Sequence, residues 1–343
     1  MKILYGVNAF GNGHITRSRV MAKELKKAGH EVTFLFSGRE KEYFFDMQDF
    51  GEDVIYKKGL QFVIENGKVD TFKTVKNNNL LQLFKDIFSL NVASYDLIIT
   101  DFEPITAWAA KLKQKMSIGI GHQYAFTKKI PLSHTNPFIL WAMNRYAPVD
   151  IELGLHWDSF GQNILPPIID IEHFPDNFVF IDNQILVYLP FEDQEKILYV
   201  FSQFPNYQFI VYNKSYECVT NNVSFKKFSK DGFLQDLLHS SGVICNAGFE
   251  LASEAIHLDK KILVKPVFGQ MEQHSNEKAI VKLNYAYSTD IITKSAIAEW
   301  LTFKKSKNLP KWPNVAREIV TWIVNPNIPF DVEKVWGKDE KTL

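Results

Sequence analysis

The chain has 343 residues, 46% of them hydrophobic and 23% charged, so it can bury sizeable cores and is long enough for two domains. Lysine plus arginine and aspartate plus glutamate balance at 39 each, which excludes a whole-protein field favouring nucleic acid; any basic site must be local. Two cysteines, Cys218 and Cys245, exclude a disulfide framework or a cysteine-rich zinc site and suit buried thiols in a reducing cytoplasm.

In chain order, the apolar stretch Ile3 to Phe10 is short and runs into glycine and histidine with no small-residue cleavage site, so it reads as a strand and not as a signal peptide. No run approaches the roughly 18 apolar residues that span a bilayer. The expected location is the cytoplasm, with peripheral contact at the inner face of the membrane left open. Lys2 to Val7 suit a buried strand, and Thr16 to Ala28 place Met21, Leu25 and Ala28 on one helical face. Gly29 stops that helix and Glu31 to Phe36 begin a second strand, which completes a βαβ unit. The pattern recurs at Tyr95 to Thr100, Pro104 to Lys113 and Ser117 to Gly121. Between Tyr56 and Leu90 the period weakens, and the reading there is a hairpin-like stretch and a helix over Asn79 to Phe88.

From Ser133 to Pro167 the chain turns rich in proline, aromatics and short apolar runs, the composition of a domain end and connector. Within it Ile139, Leu140, Met143 and Tyr146 recur at helical spacing. Core is the expected place for them, with a lipid or glycan site as the alternative. A second alternation starts at Gln184 and runs to a helix over Lys294 to Phe303. The fold class expected is therefore α/β, two Rossmann-like domains facing a cleft, with boundaries at 1–165 and 166–325 and a tail, 326–343, polar enough after Pro329 to fray.

Two glycine turns hold the candidate chemistry. Gly11 and Gly13 lie between strand one and helix one, where missing side chains let backbone N–H groups approach an anion; a plain structural turn is the alternative. His14 follows at a strand end, suited to act as a base near neutral pH. No GxxxxGK[ST] occurs, and GxGxxG is incomplete because Thr16 stands where the third glycine belongs. The second turn, Asn246-Ala247-Gly248, ends a buried strand and opens a helix, with Glu254 placed to accept from a ribose diol. Glu272, Gln273 and Asn276 follow at the next helix start, amide and carboxylate groups that suit sugar hydroxyls.

Gly248, Glu254, Pro266, Glu272, Gln273 and Asn276 in this order resemble the donor-binding signature of GT-B glycosyltransferases. The likeness is to family 28, which includes the N-acetylglucosamine transferase of lipid-linked peptidoglycan precursor synthesis, and to plant-type UDP-sugar transferases. The opening GNGHITRS resembles the glycine-rich loop and histidine of the same enzymes. Asn246 stands where plant-type members have histidine, and Asp259 and Lys261 replace a glycine and a proline.

The resemblance implies a metal-independent, inverting transfer from a nucleotide-sugar, with a UDP-sugar the favoured donor and no cofactor or metal required. Glu254 would hold the ribose, the turn Asn246 to Phe249 the diphosphate, Glu272 and Gln273 the sugar, and the loop Phe228 to Phe233 the base. Arg17 and helix N-termini would offset charge on the leaving diphosphate. His14 is the expected base, with Asp101 and His122, at equivalent strand ends, able to replace or assist it. The partners implied are the donor and a glycan or lipid-linked acceptor; oligomeric state is open. A nucleotide-sugar epimerase of the same fold and a non-catalytic nucleotide-sugar binding protein are the alternatives.

Overall fold

The computed structural model describes residues 1–61, 63–65, 67–133, 137–175, 178–213 and 217–337. In the first half the order is β1 (Lys2–Asn8), α1 (Asn12–Lys27), β2 (Glu31–Ser37), β3 (Val54–Tyr56), a hairpin of β4 (Ile64–Glu65) and β5 (Lys68–Val69), and α2 (Thr71–Asn77). It continues through α3 (Leu80–Ser89), β6 (Leu97–Asp101), α4 (Pro104–Leu112), β7 (Ser117–Gly121), α5 (Pro137–Tyr146) and β8 (Ile151–Gly154). The six-stranded sheet runs β3-β2-β1-β6-β7-β8 and every pairing is parallel.

β1 lies between two partners, and a strand covered on both faces needs apolar residues throughout; Ile3, Leu4, Tyr5 and Val7 are all fully buried. Each such side chain contributes about 1.5–3 kcal/mol by leaving water. Gly6 is required by close approach, because a Cβ there would sit 2.0 Å from the Thr106 hydroxyl oxygen of α4.

The second half contains β9 (Ile181–Tyr188), α6 (Gln194–Phe201), β10 (Gln208–Asn213), β11 (Cys218–Thr220), β12 (Val223–Lys227), α7 (Lys230–His239) and β13 (Ser240–Asn246). After these come α8 (Phe249–His257), β14 (Lys261–Lys265), α9 (Met271–Lys282), β15 (Ala286–Ser288), α10 (Lys294–Thr302), α11 (Val315–Trp322) and α12 (Val332–Val335). Its seven-stranded sheet is β11-β12-β10-β9-β13-β14-β15, parallel except for the edge pair β11–β12. Two doubly wound sheets, each with its strand ends toward a shared cleft, are the architecture expected from the alternating pattern.

The stretch read as a domain end and connector holds β8, an edge strand paired to β7. Two expectations are corrected. α5 has no buried residue, and Phe138, Ile139 and Trp141 face solvent, so the core reading of that helix fails. The segment after Pro329 is docked as far as it is described: Val332 and Val335 are buried and Trp336 Nε1 donates to the Ile164 carbonyl at 2.7 Å. Residues 338–343 lie outside the described residues. Before it, α11 packs on α1, burying Val315, Ala316, Ile319 and Val320, so the end of the chain returns to the first half.

Candidate active site

Helix capping marks the cleft. Eight α-helices have an N-terminus capped by a side chain, for example Glu103 on α4 and Ser229 on α7. Of the other helices with a described N-cap, α1, α8 and α9 have none, their N-cap residues being Gly11, Gly248 and Gln270. These three start in the wall of one cavity of about 630 Å³ between the two halves. Uncapped N-termini leave backbone N–H groups and the positive end of the helix dipole for an anion. Gly11 and Gly248 leave open space where a side chain would stand, while a Cβ on Gly13 would lie 3.2 Å from the Glu250 Cβ. The start of α1 thus meets the start of α8 across the cleft.

His14 and Asp101, 87 residues apart, are brought together: His14 Nδ1 and Asp101 Oδ1 are 2.7 Å apart. Arg17, one turn after His14, grips the same carboxylate through Nε to Oδ2 at 2.9 Å and Nη2 to Oδ1 at 2.6 Å. Its Nη1 donates to Glu250 Oε2 at 2.6 Å. Burial pushes the Asp101 carboxyl up, but Arg17 and His14 more than cancel that and hold it below the ordinary carboxylate range. With Nδ1–H donated to a fixed carboxylate, the His14 ring presents Nε2 as an acceptor; the nearest polar group there is Gln123 Nε2 at 3.5 Å.

His122 is not joined to this pair. Its Nδ1 meets the Leu155 carbonyl at 2.8 Å and its Nε2 the Asn276 Oδ1 at 2.5 Å, and its ring stacks on Phe249 at 4.0 Å. Both nitrogens are engaged within the fold and burial lowers its pKa, which sets this ring apart from the His14–Asp101 pair. Arg17 lines the cavity but is 2% exposed, with its guanidinium held by two carboxylates, Asp101 and Glu250.

On the donor side, Asn246 Nδ2 donates to the Lys265 carbonyl at 2.9 Å while its Oδ1 is buried without a partner among the described residues. Ala247 is buried, its carbonyl accepting from Asn276 Nδ2 at 3.0 Å, and the Phe249 ring is core between His122 and Trp157. What these two residues offer the cleft is backbone at the helix start. Glu254 lines the cavity and makes no side-chain hydrogen bond among the described residues; burial, with Glu250 and Asp170 near, pushes its carboxyl up to about 8. Glu272 accepts from Gln123 Nε2 at 3.1 Å, and Gln273 Oε1 accepts from the Val267 N–H at 2.8 Å, which leaves that amide only its nitrogen for a ligand. Phe228, Ser229 and Phe233 line the same cavity, and Phe45 from the first half stacks on Phe228 at 6.0 Å.

Sequence reading gave no role to Glu250 or to Gln123. A carboxylate two residues beyond Gly248, in the first turn of an uncapped helix, was the available signal for the former.

A family model described as glycosyl transferase family 1 matches residues 1–136 and 163–303. No curated protein matches the chain. Among solved structures, the glycotransferase of kitacinnamycin is 13% identical with a TM-score of 0.59, covering 93% of both chains. Acinetobacter baumannii MurG is 12% identical with a TM-score of 0.53, covering 94% of this chain and 99% of its own. The glycosyltransferase VinC, solved in complex with dTDP, is 13% identical with a TM-score of 0.53, covering 93% of this chain and 94% of its own. At such identities the structures speak for the fold, which is GT-B, and the family model speaks for the chemistry. An epimerase and a non-catalytic binder give way to that result. Two facing parallel sheets, a cleft of uncapped helix starts and a family match over most of the length lead to one conclusion: the chain belongs to glycosyl transferase family 1 and is a nucleotide-sugar glycosyltransferase of the GT-B fold.

Proposed function

We propose that the protein is an inverting, metal-independent transferase that moves a sugar from a UDP-sugar to a hydroxyl of a glycan or lipid-linked glycan. The observation that carries the reading is the His14–Asp101 pair at 2.7 Å beside a cavity whose other wall holds an unpartnered Glu254. His14 Nε2 takes the acceptor hydroxyl proton as the oxygen attacks the anomeric carbon from the face opposite the diphosphate. Asp101 fixes the ring tautomer and offsets the charge the ring gains. The bond to the diphosphate breaks as the new C–O bond forms, and the uncapped start of α8, at Gly248 and Phe249, receives the negative charge that leaves. Glu254 accepts from the ribose hydroxyls, Glu272 and the Gln273 nitrogen meet the sugar, and the base rests against Phe228 and Phe233. A lipid-carried acceptor is supported by the exposed Leu80, Leu81, Phe84 and Phe88 of α3, with exposed Lys76 and Lys85 alongside.

The test is thermal stabilisation by UDP-, dTDP-, GDP- and CMP-sugars, with Glu254→Ala in parallel. A ligand at 100 times its Kd adds about 2.7 kcal/mol. UDP-sugars should stabilise the native chain and not the variant. Stabilisation by dTDP-sugars instead would move the donor toward the nucleotide bound by VinC, and no stabilisation by any of them would sink the reading.

A further inference from the structure

Glu250 belongs to the second half of the molecule and His14 to the first, yet a single side chain separates them. Arg17 spends Nε and Nη2 on Asp101 and Nη1 on Glu250, and all three groups are at least 95% buried, with Arg17 at 2%, Asp101 at 0% and Glu250 at 5% exposed. The other Glu250 oxygen, Oε1, is buried without a partner, so Arg17 is the one hydrogen-bonding group on this carboxylate among the described residues. Arg17 and Asp101 alone cancel, which would leave the His14 ring beside a neutral pair. Adding Glu250 gives the cluster one net negative charge, and a ring that takes up a proton is stabilised by it, more so where water is excluded.

We propose that Glu250 is a positioning residue that acts through Arg17: it crosses from the donor-side half, shares the guanidinium charge, and gives the His14–Asp101 pair its full basicity only when the two halves are closed. The inference rests on the reading of His14 as the base. The charged and titratable groups facing Glu250 are Arg17 of α1, Asp101 of β6, Tyr5 of β1 and, on its own helix, Glu254. Burial pushes the Glu250 carboxyl up to about 7, so the link is strongest above neutrality and fades as the carboxyl takes a proton.

The experiment is ring ¹⁵N NMR on histidine-labelled full-length protein at pH 8, where Glu250 is ionised, with the His14 signal assigned by its loss in His14→Gln. UDP binding is measured by calorimetry on the same samples. In Glu250→Gln the His14 ring ¹⁵N signals should shift toward those of the neutral ring, with the other histidine signals in place. If Glu250→Gln does not fold, Glu250→Asp, which keeps the charge but withdraws it, should give a smaller change of the same sign. An unchanged His14 signal overturns the inference while leaving the function reading standing wherever UDP still binds. A changed signal with no UDP binding by the native chain keeps the electrostatic link and removes the function reading.

Discussion

At the scale of the residue, Glu254 couples the site to stability. A free glutamate ionises near 4.5, whereas burial, with Glu250 and Asp170 adding to it, pushes this one up to about 8. Between those values the folded chain holds a proton that the unfolded chain has released, so stability falls as pH rises through the window. Glu254→Gln removes that penalty. At pH 8 it should melt above the native chain, and at pH 4.5 the two should coincide. A variant that melts lower at pH 8 would show that the carboxylate is stabilised by a partner in solution. Legibility at this scale was uneven. His14 was expected at a strand end ahead of a helix from Thr16, but α1 begins at Asn12, which puts His14 and Arg17 three apart on one helix. The meeting of His14 with Asp101 depends on the pairing of β1 with β6, and that of Arg17 with Glu250 on two halves closing. Neither leaves a local trace in sequence.

Elements with a strong period and both ends marked were readable: β2, α4 and β7 lie where spacing puts them, while α1 starts at Asn12 and takes in Gly13, which was expected before it. β8 was hidden because a four-residue edge strand, paired on one side only, carries too little pattern to stand out among prolines and aromatics. α3 shows the reverse problem. Its apolar residues recur as a core helix would have them, yet Leu81 is 83% and Phe84 53% exposed, while its buried positions include Asp86, held by Lys57 at 2.8 Å. A helix that turns leucine and phenylalanine outward beside lysines suits a lipid surface with anionic headgroups. Sedimentation with phosphatidylserine-containing vesicles should therefore capture the native chain, and the double change Leu81→Glu and Phe84→Glu should cut capture at least about tenfold. Since both positions are exposed, the melting temperature should barely move. Equal capture of the two proteins would remove the support for a lipid-carried acceptor.

For the whole molecule, the return of the chain end to its beginning is the organising contact. α11 lies on α1, and Asn314 Nδ2 donates to Glu24 Oε1 at 3.3 Å beside an Arg317–Glu24 ion pair at 3.6 Å. Ile319 in that interface is fully buried. Ile319→Asn places an amide there without partners and should cost about 3 kcal/mol or more in urea unfolding, as much as a change in the centre of either sheet. A variant as stable as the native chain would mean that the terminal helices are ornaments on a fold complete without them. The cleft itself has a further property. The starts of α1 and α8 meet there with like polarity, a repulsion that the Arg17–Glu250 ion pair at 2.6 Å works against. An anion entering between them turns that repulsion into a shared attraction. On the reading proposed above, a diphosphate bound there would be a fastener between the halves as well as a leaving group.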